Sequence, residues 1–398
     1  MSFVAEFKAL PVEALLKRSL SATASSVRET LAGGGVTQAA FAILISPAAG
    51  EFLEALSRRS QALTQQRFGK VIRLFAPLYL SNECINNCKY CGFSRDNPIL
   101  RVTLTVEEVM REARALKEQG FRNILLVAGE HPKFVPAQYL VDCVRALHEE
   151  FPGISLEVGP METEAYRSLV STGADGLVVY QETYDRAVYA QMHTGGPKRD
   201  FDWRLETPER AYAAGFRRLG IGALFGLADW RFEALSVAAH ADYLLRHCWK
   251  AQLTISLPRL RPCAGQFEPL TQMSDRDLVQ AVCAFRLMFP DVGIVLSTRE
   301  PARLRDGLLP LGITLMSAGS HTEPGGYTGA GKEHLHRTER GRIVELGSSE
   351  WAAGDGTGRQ ATEQFNIADD RSPREVAERI RRLGYEPVWK DWDAALTA

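Results

Sequence analysis

A chain of 398 residues with 45% hydrophobic and 24% charged positions has the balance of a globular protein with a large core, enough for one barrel-sized domain or two ordinary ones. Its formal net charge of -1 creates no field that would gather nucleic acid or an anionic membrane. The first apolar run, residues 41–45, is too short to cross a bilayer or to form the core of a signal peptide, and Glu6 and Glu13 argue against a transit peptide. The expectation is a cytoplasmic protein without nucleic-acid or membrane partners.

In chain order, residues 1–70 predict an N-terminal helical extension, with helices over 12–20, 37–45 and 50–68. From residue 71 onward, eight short apolar runs follow: 71–80, 124–128, 155–159, 177–180, 219–223, 253–257, 293–296 and 313–316. Amphipathic stretches at 106–119, 137–150, 162–171, 207–214, 232–248 and 275–288 separate most of them. Thr105 and Ser274 stand where N-caps belong, and Gly120, Gly173 and Gly215 stand as stops. Strand and helix alternating in this way predict a (β/α)8 TIM-type barrel over 71–320. Periodicity does not prove closure, so a doubly wound open sheet stands as the alternative. Residues 321–398 form a C-terminal cap. Within it 328–362, rich in Gly, Ser and charge, predict a flexible insertion in which His334 and His336 are solvated. Regular structure is expected again at 373–383, before an aromatic-rich run at 387–392.

Seven cysteines are present, three of them within the eight positions from Cys84 to Cys91. A disulfide framework does not suit a chain this long without a secretion signal. One metal site and four ordinary thiols, Cys143, Cys248, Cys263 and Cys283, are expected instead. Cys84, Cys88 and Cys91 follow the first strand directly. Three thiolates at this spacing wrap a compact loop around one corner of an iron–sulfur cube and leave one iron open, whereas electron-carrying cubanes use four cysteines and structural zinc four closed ligands. In a barrel the C-terminal strand ends share one mouth. The other predicted ends carry Gly129, Glu130 and His131, then Glu157, Gln181, Glu182, Arg259, Ser297, Thr298, Arg299 and Ser317.

The C-x3-C-x2-C loop with Tyr90 before its last cysteine is the signature of the radical S-adenosylmethionine (SAM) superfamily. The ordered runs LYLSNECINNCKYCGFS, LLVAGEH, LEVGP, VYQETYD, WRLETPER, IGALFGL, LPRLRPC, LSTRE, PGGY and PVWKDWD resemble the 2-iminoacetate synthases, the tyrosine lyases of thiamine biosynthesis. The resemblance implies a (β/α)8 barrel, a [4Fe–4S] cluster on Cys84, Cys88 and Cys91, and SAM chelating the open iron. It places Tyr90 near the adenine and Gly129–Glu130 at the methionyl ammonium, with Ala128 where the family has a first glycine. Arg204 would pair with the SAM carboxylate, and Glu157 and Glu182 would face its ribose or methionine end. Arg299 would hold the substrate carboxylate and Ser317 its amino group; His131 and Tyr180 are candidates for the phenol proton.

The implied reaction converts L-tyrosine and SAM to 2-iminoacetate, p-cresol, methionine and 5′-deoxyadenosine. A flavodoxin- or ferredoxin-type reductant and the thiazole synthase ThiG would be partners. A tryptophan lyase is the rival within the class, and a non-enzymatic iron–sulfur electron carrier the rival outside it. A hydrogenase maturase with a second, C-terminal cluster is disfavoured, because no cysteine follows Cys283.

Overall fold

The structure, a computed structural model, describes residues 2–339, 342–345 and 360–390. Its centre is a parallel sheet of strands β1 Val71–Ser81, β2 Asn123–Ala128, β3 Gly153–Glu157, β4 Gly176–Val178, β5 Arg218–Gly222, β6 Gln252–Ser256, β7 Gly293–Leu296 and β8 Leu315–Ser317. β8 pairs back onto β1, with Arg73 opposite Leu315, so the sheet closes. That closure excludes the open-sheet alternative. Period-two alternation divides β1 between two layers. Ile72, Leu74, Ala76, Leu78 and Leu80 join the main core, while Phe75 and Tyr79 pack in a separate cluster with Leu125 and Val127.

The crossover helices begin where cap chemistry puts them. Thr105 and Glu108 form a capping box on Val106–Glu118, and Ser274 and Asp277 form one on Asp275–Met288. Among the described residues five short α-helices escaped the sequence reading: Phe3–Ala9, Ala24–Ala32, Arg186–Met192, Phe201–Leu205 and, in the seventh crossover, Ala302–Leu308. At two turns or so an apolar period barely registers, and packing rather than propensity holds such helices. Near the C-terminus, a ninth strand β9 Glu386–Val388 pairs with the first residues of β1, and Trp389 packs edge-on to Phe121. Asp391 and Trp392, at the end of the aromatic-rich run, lie outside the described residues.

The described part of 328–362 departs from a structureless insertion. His336–Glu339 and Arg342–Glu345 pair as an antiparallel hairpin, and Ala330, Leu335 and Ala361 are buried. His336, expected in solvent, is buried as well. These residues find partners on the barrel that their local sequence does not announce. Residues 346–359 lie outside the described set. No single helix among the described residues is long and apolar enough to cross a membrane.

The first helix is a docked element, because Phe3 is buried and stacks on His240 with ring centroids 4.1 Å apart. The Phe3 amide donates to Glu209 Oε2 at 3.2 Å, and Tyr243 holds the other oxygen of that carboxylate at 2.6 Å. Phe3→Ala is expected to lower the unfolding free energy by about 3 kcal/mol, the usual cost of emptying a buried aromatic site. Urea denaturation followed by circular dichroism measures this, and no change in midpoint would show the helix to be undocked.

Candidate functional site

At the top of β1 the chain leaves the sheet through Asn82 and Glu83 and enters the cysteine loop, which three anchors hold. Arg101, almost fully buried, donates to the carbonyls of Asn82 at 2.6 Å, Phe93 at 3.1 Å and Ser94 at 2.8 Å. One guanidinium thus ties the loop's entry to its exit. The end of β2 supplies the second anchor: Ile85 N donates to the Glu130 carbonyl at 2.8 Å, and Asn86 Nδ2 to Glu130 Oε2 at 2.7 Å. A side chain on Gly129 would place its Cβ 2.2 Å from the Glu83 carbonyl oxygen, so only glycine lets these two backbones meet. The third anchor is a short antiparallel pairing of Asn87–Cys88 with His193–Gly195.

The loop gathers Cys84, Cys88 and Cys91 as free thiols. Burial pushes the Cys91 thiol up to about 11, with Cys84 adding to the shift, and burial raises Cys88 further. Thiols crowded in this way gain from a cationic centre that takes them as thiolates. Structural zinc wants four closed ligands, and the loop supplies three thiols. A cube that takes one thiolate per corner fits the donor set, and the missing fourth thiolate leaves a coordination position open. Cys263, expected to be an ordinary thiol, lies beside this loop and donates from Sγ to the Tyr90 carbonyl at 3.3 Å.

Beside the loop is a buried charged wall. Tyr90 Oη lies 2.7 Å from His193 Nε2, and His193 Nδ1 lies 2.8 Å from the Tyr189 carbonyl. The carbonyl requires the ring proton on Nδ1, so Nε2 accepts from the tyrosine. Burial, with Lys198 nearby, pushes His193 down to about 3 and keeps it neutral. Lys198 Nζ donates to Glu182 Oε1 at 2.7 Å and Arg204 Nη2 to the same oxygen at 3.3 Å, while Arg204 Nε holds the Tyr180 carbonyl at 2.8 Å. Burial acts to raise the Glu182 carboxyl, but Lys198 and Arg204 outweigh it and hold the group ionised. Two cations on one carboxylate leave one positive charge over. Glu182 also takes a φ of 72°, a strained value for a residue with a side chain, kept by the bond from Leu224 N to its carbonyl at 2.7 Å. Lys198 and His193 were missed in the sequence because they sit between helices, outside the strand-end register that located Glu182.

Below the loop lies a small chamber walled by Tyr79, Glu157, Tyr180, Arg299, Ser317 and Phe365. The Arg299 guanidinium carbon lies over the Phe365 ring, 3.3 Å from its centroid. Its neighbour Glu300 belongs to Arg259, whose Nε donates to it at 2.9 Å. No carboxylate among the described residues forms an ion pair with Arg299, so its fork remains open to a ligand. Ser317 Oγ accepts from Thr298 N at 3.1 Å and keeps its own proton to donate. Desolvation pushes the Glu157 carboxyl up to about 7, with Arg299 pulling the other way. Tyr180 Oη donates to Ser256 Oγ at 3.1 Å and helps to floor the chamber. A larger cavity of about 750 Å³ fills the lower barrel beneath that floor. It reaches none of Glu157, Arg299 and Ser317, so the chemistry is assigned to the upper chamber despite its smaller size. His131 stands apart from both, packed on Phe134.

Residues 78–236 match the family model of the radical SAM superfamily, and residues 256–386 match that of the Biotin and Thiamin Synthesis associated domain. The 2-iminoacetate synthase of Escherichia coli K12 is 43% identical over 375 residues, covering 94% of this chain and 92% of that protein. Its counterpart from Salmonella typhimurium is 42% identical over the same shares of the two chains. Among solved structures, HydG, a maturase of the [FeFe]-hydrogenase, superposes with a TM-score of 0.83 at 31% identity, covering 95% of this chain and 79% of that one. Methylornithine synthase (PylB), at 22% identity and a TM-score of 0.68 over 91% of this chain and 97% of its own, shares the fold.

The raised carboxyl of Glu157 has a consequence for stability. A folded-state value near 7 against 4.5 for the unconstrained group means that the folded chain holds a proton the unfolded chain has lost. Stability is therefore complete below about pH 4.5 with respect to this group and falls as pH rises towards 7. Glu233, pushed by burial up to about 8, acts in the same sense. Glu157→Gln is expected to flatten part of the decline in melting temperature of the cluster-free chain between pH 5 and 8. An unchanged slope would place the Glu157 carboxyl in water.

Proposed function

The chain belongs to the 2-iminoacetate synthase family of radical SAM enzymes, and we propose that it cleaves the Cα–Cβ bond of L-tyrosine, working in the cytoplasm. The observation that carries the substrate reading is the Arg299 fork, which no carboxylate among the described residues occupies, in the small chamber at the barrel mouth. A bidentate guanidinium is the fitting group for an amino-acid carboxylate. Ser317, on the same wall, would accept or donate to the amine.

Cys84, Cys88 and Cys91 would hold the [4Fe–4S] cluster with SAM on its open iron, and the pair supplies, when reduced, the one-electron cleavage that removes a hydrogen atom from the substrate. The chain at Gly129–Glu130, at the end of β2, would receive the methionyl ammonium. The positive charge left over by Lys198 and Arg204 on Glu182 would meet the SAM carboxylate, and Tyr90 would carry the adenine. Tyr79 and Tyr180 exclude water and enclose the phenol ring. Glu157 can hold or release a proton near neutral pH, which suits a group that serves the substrate's phenol or amine.

Hydrogen-atom removal from the amine and scission of Cα–Cβ give 2-iminoacetate and a hydroxybenzyl fragment, which gains an electron and a proton to leave as p-cresol. 2-Iminoacetate is an imine that hydrolyses to glyoxylate and ammonia. Close-range transfer to a thiazole-forming enzyme of the ThiG type follows from that instability, and a flavodoxin- or ferredoxin-type protein would supply the two electrons, one for SAM cleavage and one for the hydroxybenzyl fragment.

Anaerobic, reduced enzyme with SAM and tyrosine is expected to form 5′-deoxyadenosine, p-cresol and glyoxylate, read by chromatography. Consumption of tryptophan with tyrosine untouched would change the substrate and leave the cofactors standing. Arg299→Ala should weaken tyrosine binding by about 2–3 kcal/mol, the scale of a lost buried charge-assisted pair, while SAM still binds. Cys88→Ala should abolish 5′-deoxyadenosine formation altogether, and turnover by a folded Cys88→Ala protein would overturn the cluster assignment.

A further inference from the structure

One carboxylate beside the cysteine loop has no part in the reaction just described. Glu83 stands between β1 and Cys84 and is buried. Its Oε1 accepts from His336 Nε2 at 2.7 Å and from Thr338 Oγ1 at 2.5 Å. Its Oε2 has no hydrogen-bond partner among the described residues. His336 Nδ1 is engaged too, 2.9 Å from the His334 carbonyl, so both ring nitrogens fix the imidazole's direction. The main chain repeats the link: Arg101 N donates to the His336 carbonyl at 2.8 Å and His336 N to the Arg101 carbonyl at 3.1 Å. Arg101 is the residue whose guanidinium joins the loop's entry to its exit. A segment some 250 positions away in sequence is therefore joined to the cysteine loop by backbone and side chain together.

We infer that the hairpin beginning at His336 is a clamp on the cluster loop, with His336 and Thr338 as positioning residues that hold Glu83 and, through it, the approach of Cys84 to the cluster. The inference rests on the reading that Cys84, Cys88 and Cys91 bind a cluster. A buried carboxylate with one oxygen unmatched is costly to keep, and it stays in place only while its partners do. If His336 is lost, that group must turn towards water, and it is covalently next to the first ligand. Outer partners of metal ligands act on retention and electronic environment in this way.

The test uses the reconstituted holoprotein, challenged anaerobically with EDTA while its visible absorbance is followed, with the spin-resonance spectrum of the reduced cluster as a second readout. His336→Leu is expected to speed cluster loss roughly tenfold, the lower end for removal of an outer partner of a ligand, and to shift the spectrum. His336→Gln, which keeps a donor, should restore most of the retention. The double variant Glu83→Leu with His336→Leu should recover as well, because no carboxylate is left uncompensated. In the cluster-free chain, His336→Leu should open the segment around Arg337 and Arg342 to trypsin. Cluster retention, spectrum and trypsin resistance in His336→Leu all equal to those of the unaltered protein would overturn the clamp. An unaltered protein that assembles no cluster would instead overturn the parent reading, with the trypsin comparison still deciding whether the segment is clamped.

Discussion

Strand β1 carries three ladders, and the levels of the strand-borne site groups follow from how they are staggered. Its first residues pair with β9, Arg73 to Phe75 pair with β8, and Ala76 onward pairs with β2. A barrel closes only if its strands are offset in this manner, and the offset makes β1 longer than its neighbours. The extra length lifts Ser81 and the cysteine loop above the level at which β3, β7 and β8 end. Cys84, Cys88 and Cys91 consequently overhang the mouth, while Glu157, Arg299 and Ser317 lie below them on its walls. Strand register thus sets two levels in the site, a cofactor level over a substrate level.

The architecture was legible because its signals were local and repeated. Eight apolar runs, helix caps at Thr105 and Ser274, and a cysteine spacing that forces a tight loop each rest on chemistry within a few residues. What the sequence did not disclose was pairing across distance. Glu182 could be placed at a strand end, but its two cations come from Lys198 and Arg204 on the following helical stretch. Arg299 could be named, yet its open fork depends on Glu300 being taken by Arg259. His336 is the sharpest case: in a segment rich in glycine and charge it reads as solvated, and only its contact with Glu83 shows otherwise. Propensity speaks for the segment, and a single buried partner overrules it.

The charges around the two levels are arranged by function. On the upper level Glu182 is matched by more cation than it needs, which leaves the wall positive where an anionic group of a ligand would dock. On the lower level the opposite arrangement holds, with Arg299 half-buried and stacked on the Phe365 ring, and with Glu157 pushed towards neutrality by desolvation. Each feels the other's charge, but among the described residues neither forms an ion pair within salt-bridge distance. Buried ionisable groups left unmatched in a folded chamber are a cost to stability that a ligand with the complementary charge relieves.

The C-terminal segment is part of this site rather than an appendage to the barrel. Phe365 lies under Arg299, Gln364 accepts from Tyr79 Oη at 2.8 Å, and the Gln364 amide reaches towards Cys91 Sγ at 3.9 Å. These residues sit on a stretch without regular structure, so something else must fix them. Asp369 does so: it is fully buried, pairs with the equally buried Arg305 of the seventh crossover helix, and takes Arg371 Nη2 at 2.7 Å. Arg305 also binds the Ser317 carbonyl at the end of β8. A buried pair of this kind contributes little net stability against an apolar alternative, but it is strict about geometry. Its position between β8 and the roof segment therefore reads as register control: the same guanidinium that holds the end of β8 holds the chain that carries Phe365, so Ser317 and the support of Arg299 are set by one residue. Substrate wall and roof are thereby tied together, although the segments that supply them lie far apart in sequence.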